Sequence, residues 1–250
     1  MSSESDGDRL SVAASISATM PPCLWQFGPL GNTLPSRERP LIVKYGGSLL
    51  NRNCWPLLIQ NLLDALGSRS LVIIVGGGAV VDGLRTIDQA APQPIDTMHR
   101  LAIEAMGLTA AMVAQAVGLE MIDELATESA AQRTPQRAVL HVPAWLACER
   151  HCLPLPVGWH VTSDSIAAHV ANVSGYDLLL AKSVPPPAHS LESWRWDKMA
   201  DSDWVDPFFP TAAATLQTIT WAAPLPLEQL LMSRPSIIPT PATAIVNGRL

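Results

Sequence analysis

The run Leu41-Ile42-Val43 leads into Lys44-Tyr45-Gly46-Gly47-Ser48, and a second apolar run, Leu71 to Val75, leads directly into Gly76-Gly77-Gly78. Short runs that are apolar at every position have no polar face to offer water. Each therefore reads as a central strand of a parallel sheet, covered on both sides. Ligands of such open α/β sheets bind beyond the carboxyl ends of the strands. The first junction collects a cation, bare backbone N–H groups and a hydroxyl at that edge, a combination suited to phosphate. Two such junctions in one half of a chain point to a nucleotide or a phosphorylated substrate.

The remaining pattern extends the same scheme. Trp55-Pro56 opens a helix to about Leu66, with Asn53 or Cys54 near its cap and Pro56 in its first turn. Gly78 to about Ala90 reads as a helix. Asp96 or Thr97 caps a long one to about Val117, on which Met98, Leu101, Ala105, Leu108, Met112 and Ala116 follow helical spacing. Ala138 to Val142 reads as a strand. Ser163 to Val173 reads as a helix capped by Thr162 or Ser163 and ended by Gly175, and Asp177 to Ala181 as a strand closing on Lys182. Residues 183–210, rich in Pro and Trp, read as an irregular excursion. A short helix at Glu228 to Met232 and a last strand at Thr243 to Val246 complete the reading. Strands alternating with helices give an α/β fold with a mainly parallel sheet. Residues 1–38, rich in Ser, Pro and Gly, are expected to be a disordered extension ahead of one domain spanning 39–250.

Composition narrows the function. The net charge of −6 disfavours a general nucleic-acid surface. Cys23, Cys54, Cys148 and Cys152 show no framework spacing, which fits a reduced, intracellular protein. Glu4, Asp6 and Asp8 stand where a secretory leader would be basic. The most apolar long segment, Leu101 to Ile122, carries Glu104, Gln115 and Glu120, so no membrane span is expected and the cytoplasm is the default. The apolar helix to Val117 is expected to be buried against the sheet or another subunit, making a homo-oligomer the expected state.

Each candidate motif has a structural alternative. Gly76-Gly77-Gly78 does not extend to G-x-G-x-x-G, because Val81 occupies the last position, and no P-loop is present. The triplet still opens a helix whose N–H groups suit an anion. Ser163-Asp164-Ser165 alone is a helix cap. Asp164, however, precedes Lys182 by one helix and one strand, so both return to the sheet edge of Lys44. Two lysines and an aspartate meeting there form a charge set for phosphoryl transfer. Trp194, Trp196 and Trp204 either stack a ring or pin the excursion to the body. Cys148 and Cys152, with His141, His151 and His160 nearby, match no closed zinc spacing, and no metal site is expected.

Taken in order, Lys44-Tyr45-Gly46-Gly47-Ser48, Gly76-Gly77-Gly78, Thr162-Ser163-Asp164-Ser165 and Lys182 resemble the signature of the amino acid kinase family, over about residues 40–183. That family includes acetylglutamate, aspartate, carbamate and uridylate kinases. More narrowly, three segments are similar to archaeal aspartokinase-related kinases of methanofuran biosynthesis. They are Gly76 to Asp82 with Arg85, His99 to Met106, and Trp159 to Ala168. Those kinases phosphorylate an aminomethylfuran methyl phosphate in the making of a one-carbon cofactor.

The resemblance implies a three-layer α/β/α sandwich with a mainly parallel central sheet, ATP with Mg²⁺, and a small phosphorylated or carboxylated acceptor. It implies that Lys44, Asp164 and Lys182 are catalytic. Lys44, Gly46, Gly47, Ser48 and Lys182 would meet the ATP phosphates, the two glycines through their N–H groups. Gly76, Gly77 and Gly78, with Asp82, Arg85 and His99, would lie on the acceptor side. Arg85 alone reads equally as a solvated helix position, and His99 as a core or interface histidine. A uridylate-type kinase and a non-catalytic ligand-binding relative are the alternatives. Where many members continue with Thr and Val-Asp-Gly, this chain runs Ser183-Val184-Pro185-Pro186-Pro187, leaving Asp201, Asp203 or Asp206 to supply the acidic position.

Overall fold

The computed structural model describes residues 24–28, 39–125, 136–148, 155–185 and 195–225. Among the described residues seven strands make one sheet: β1 (Trp25–Phe27), β2 (Leu41–Tyr45), β3 (Leu71–Val75), β4 (Glu120–Ile122), β5 (Arg137–Leu140), β6 (Asp177–Ala181) and β7 (Ile219–Pro224). Their order is β1-β7-β6-β2-β3-β5-β4. All neighbours are parallel except β1, which runs antiparallel to β7. The helices are α1 (Trp55–Ala65), α2 (Gly78–Ala90), α3 (Ile95–Val117), α4 (Val142–Ala147), α5 (Ser163–Ser174), α6 (Trp196–Asp201) and α7 (Phe209–Ala212). A 3₁₀ turn, Gly47–Asn51, follows β2.

Strand pleating sorts the core into two layers, because successive side chains point to opposite faces. Leu41, Val43 and Tyr45 pack with Leu58, Ile59 and Leu62 of α1 and with Ala110 and Val113 of α3. Ile42 packs on the other face with α4, α5 and α7. This is the expected α/β/α sandwich. Lys44 shares its parity with Ile42 and so belongs to the α5 face. The long helix α3, apolar enough by length and composition to cross a membrane, packs instead on the sheet side of the domain through Met98, Ala105, Met106, Thr109 and Val113.

β3, α2 and β6 keep their expected bounds. Gly118 and Gly175 end α3 and α5 in the left-handed region, at φ 67° and 72°. The strand expected to reach Val142 stops at Leu140, because Pro143 in a first turn favours the short helix α4 there. The excursion at 183–210 contains α6 and the start of α7. Trp196 lies edge-on to Phe209 at 5.0 Å and Trp204 against Trp221 at 5.8 Å, so these tryptophans pin the segment to the core. Three strands were not expected: β4, three residues that directly follow the end of α3, and β1 and β7. β1 lies inside the stretch read as a disordered extension, where Trp25 and Phe27 bury against α1 and the sheet. β7 opens on Ile219-Thr220-Trp221, but Ala222, Ala223 and Pro224 at its end carry no strand signal. Trp194 and the elements expected at 228–232 and 243–246 lie outside the described residues, as do residues 1–23 and 29–38.

Candidate active site

Register brings three strand ends level. Tyr45 pairs with Val75 on one side and Ala181 on the other. Each strand is then followed by a functional residue: Gly46, Gly76 and Lys182. Gly46 donates its N–H to Ala181 O at 2.8 Å, and Gly76 donates to Tyr45 O at 2.9 Å. This corrects one expectation, since the Gly46 N–H is committed to the sheet and is not open to a phosphate. What these glycines supply is close approach. A Cβ on Gly46 would stand 2.9 Å from Ala181 O, and one on Gly76 2.8 Å from Gly47 N. The two glycine loops touch backbone to backbone, and Gly78 holds a φ of +53° at that contact.

Over these loops lies a cavity of about 560 Å³. The proposed catalytic set, Lys44, Asp164 and Lys182, stands on its floor. Lys44 Nζ is 2.7 Å from Asp164 Oδ1, and Lys182 Nζ donates to Asp164 Oδ2 at 2.5 Å. Lys44 and Asp164 are buried, and Lys182 Nζ also lies 5.7 Å from the centre of the Trp221 ring. Burial alone would push the Asp164 carboxyl up. The charges of Lys182 and then Lys44 outweigh it and hold the group at about 2. Burial pulls Lys182 down, Asp164 pulls it back up, and the Lys44 charge lowers it again, to about 8 in balance.

Gly47, Ser48, Gly77, Gly78, Asp82, Arg85 and His99 line the same cavity. Ser48 donates its hydroxyl to Ser183 at 3.1 Å, and Arg52 donates to Ser183 O at 2.8 Å, so the first glycine loop grips the chain after Lys182. Arg85 stands 3.4 Å from exposed Asp82 and stacks over Trp159, with its guanidinium carbon 5.2 Å from the ring centre. The Trp159 indole N–H donates to Asp88 Oδ2 at 2.8 Å. The Gln93 N–H and then this indole hold the Asp88 carboxyl below its ordinary value. His99 Nδ1 lies 3.3 Å from both the N–H and the carbonyl oxygen of Gly158. Ala102, Ile103 and Met106 form the apolar wall between.

Of the three aspartates considered for the acidic position, Asp201 is on the surface beside Lys198, whereas Asp203 and Asp206 line the cavity. Trp159 and Asp88 were not singled out for function, and their pairing spans 71 positions with no local signature. His141 pairs with exposed Asp123 at 3.2 Å. Among the described residues no three His, Cys, Asp or Glu side chains converge on a metal position.

Comparison with curated protein sequences finds no match. Uridylate kinase from Archaeoglobus fulgidus is similar at 13% identity and a TM-score of 0.52, over 77% of this chain and 93% of that one. UMP kinase from Ureaplasma parvum gives 14% and 0.49, over 71% and 84%. Aspartate kinase from Synechocystis gives 16% and 0.46, over 74% and 40%. At 13% identity the likeness to the Archaeoglobus fulgidus structure is one of fold. The sequence pattern of the amino acid kinase family matches residues 39–185, a span that holds both lysines and Asp164 and more than half of the protein; the chain belongs to the amino acid kinase family.

Proposed function

We propose that this protein is an ATP-dependent kinase that transfers a phosphoryl group to a small anionic acceptor. The observation that carries the reading is Asp164 held between Lys44 and Lys182 on the floor of a glycine-walled cavity. An ionised carboxylate with an ammonium on each oxygen is not a base in waiting. Its work is to hold two like charges side by side, which they would not otherwise tolerate. The two ammonium groups then face the oxygens of the transferring group, where negative charge must be carried in flight. Gly47, Gly77 and Gly78 let the reactants approach the backbone. Transfer is in line, without a covalent enzyme intermediate. Mg²⁺ would accompany ATP, held chiefly by phosphate oxygens and water, and would neutralise charge on the phosphate chain.

The acceptor favoured by the segments around Arg85, His99 and Trp159 is an aminomethylfuran methyl phosphate. Support comes from the cavity lining, which includes both the apolar side chains of Ala102, Ile103 and Met106 and the guanidinium of Arg85. A small ring fits the first and a phosphate the second, through paired N–H donors. The outer face of α3 exposes Leu108 and Met112, at 62% and 53%, and a second copy of the chain is proposed to cover it.

The test is ADP release from Mg·ATP with the furan phosphate as acceptor. Turnover with that compound, and none with UMP, is the expected result. Turnover with UMP alone would transfer the reading to a nucleotide kinase. No ADP with either, together with no ATP binding by calorimetry, would overturn the kinase reading. Light scattering that finds a monomer would overturn the second copy.

A further inference from the structure

We propose that Asp206 is a positioning residue of the phosphoryl-transfer centre, reaching in from the segment after α6 to cap α5 and so to fix Asp164. The proposal rests on the kinase reading. Thr162 occupies the N-cap of α5, where a threonine hydroxyl ordinarily accepts the N–H three residues on. Here it makes no such bond. Its hydroxyl instead donates to Asp206 Oδ2 at 2.7 Å, and that same oxygen accepts the N–H groups of Thr162 at 2.9 Å and Ser165 at 3.0 Å. The other oxygen accepts the Ser165 hydroxyl and the Phe208 N–H. Asp164 is flanked by the two positions tied to this one carboxylate.

Two consequences follow for the site. First, the direction in which Asp164 leaves the helix is set by a residue 41 positions beyond Ser165 in the chain. Second, Asp206 brings a negative charge to the helix N-terminus, where it is favoured, and into the field of Lys182. The groups facing Lys182 are Asp164 from α5, Lys44 from β2, the Trp221 ring from β7 and Asp206 itself. Of these, Asp206 and Asp164 favour its charged form and Lys44 opposes it. Because the Asp206 charge acts on Lys182 through space, a shift in the Lys182 titration reports that charge, and a loss of kcat in a variant that keeps the charge reports positioning.

The experiment follows kcat and KM for ATP against pH in the full chain, in Asp206→Asn and in Ser165→Ala. In parallel, Lys182 is titrated by ¹³C NMR on labelled lysine, its signal assigned by Lys182→Arg. Asp206→Asn is expected to lower kcat roughly ten- to a hundredfold, the scale of a misplaced catalytic group, with KM for ATP little changed. It is also expected to move the Lys182 titration and the alkaline limb of kcat to lower pH. Ser165→Ala, which keeps the Asp206 charge, is expected to lower kcat without moving the limb. A folded Asp206→Asn with unchanged kcat and an unchanged Lys182 titration would overturn the proposal. If Asp206→Asn does not fold, an unaltered kcat in Ser165→Ala overturns it instead. A wild-type protein that forms no ADP, but in which Asp206→Asn still moves the Lys182 titration, would remove the kinase reading and leave the link between Asp206 and this centre standing.

Discussion

Gly47 and Gly78 meet so closely that a Cβ on Gly47 would stand 2.2 Å from the Gly78 nitrogen and 2.5 Å from its Cα. Backbone cannot rotate away as a side chain can. Gly47→Ala is therefore expected to separate the two loops, at a cost of about 1–3 kcal/mol of stability, as in other overpacked sites. Urea unfolding with unchanged cooperativity would measure it. Because the loops also wall the cavity, ATP affinity should fall in the same variant. A neutral Gly47→Ala would show that this contact does not constrain the fold.

Removing one member of the lysine–aspartate set leaves the others buried and unbalanced. Asp164→Asn strands two ammonium groups a short distance apart. The expected loss is about 3–5 kcal/mol, the range for breaking a buried ion pair. Lys44→Ala should lower kcat by about 10²–10³, the effect of losing one charge donor to a developing oxyanion, with native circular dichroism. An unaltered rate in Lys44→Ala would remove this lysine from the reaction.

Acid and base should act on different properties. Asp164 is depressed from 3.8 to about 2, so its contribution is present above pH 4 and lost as pH falls through 2. The difference corresponds to about 2 kcal/mol. Lys182 is also depressed, from 10.5 to about 8, so between those values the unfolded chain binds the extra proton. Lys182 thus disfavours folding below pH 8, and that cost is relieved as pH rises through the window. Activity should run the other way. If the ammonium holds the moving phosphoryl group, kcat falls above about pH 8 while stability does not. Lys182→Arg should abolish that limb; a limb that survives belongs to another group.

Arg85 lies over the ring of Trp159, which is itself anchored to Asp88. Trp159→Leu removes the stacking surface and leaves the arginine in place. The expected result is a rise of about two- to fivefold in KM for an anionic acceptor, with kcat and KM for ATP nearly constant, consistent with about 0.5–1 kcal/mol for an exposed cation–π contact. Initial rates at varied acceptor concentration decide it. A change in KM for ATP alone would put Arg85 at the nucleotide.

What the sequence revealed is what is written locally. Leu71 to Val75 and Leu178 to Ala181 are apolar without interruption, so their place in the sheet interior was readable. Once β2, β3 and β6 are parallel neighbours, Lys44 and Lys182 must stand at one edge. The contacts made by Asp206 and Trp159 were not readable, because each joins residues more than forty positions apart through ordinary side chains. β1 and β7 escaped for a related reason. Trp25-Gln26-Phe27 is three residues between Pro21-Pro22 and Gly28-Pro29, and it becomes a strand only because Ala222–Pro224 lies beside it. The cap of α5 shows the same limit. Thr162 and Ser163 were adequate candidates, and nothing near them showed that the work is done from afar.

The pairing of Trp25–Phe27 with Ala222–Pro224 also guards the sheet. β7 would otherwise present a row of unpaired N–H and C=O groups to solvent, a template on which another chain can add a strand. β1 occupies that row, and the Trp25 indole N–H fastens it by donating to Leu58 O at 3.0 Å. The segment that composition marks as a disordered extension therefore contains a stopper. A version of the protein trimmed to begin at Arg39 would keep every residue proposed for catalysis and lose its protection against self-association at the sheet margin.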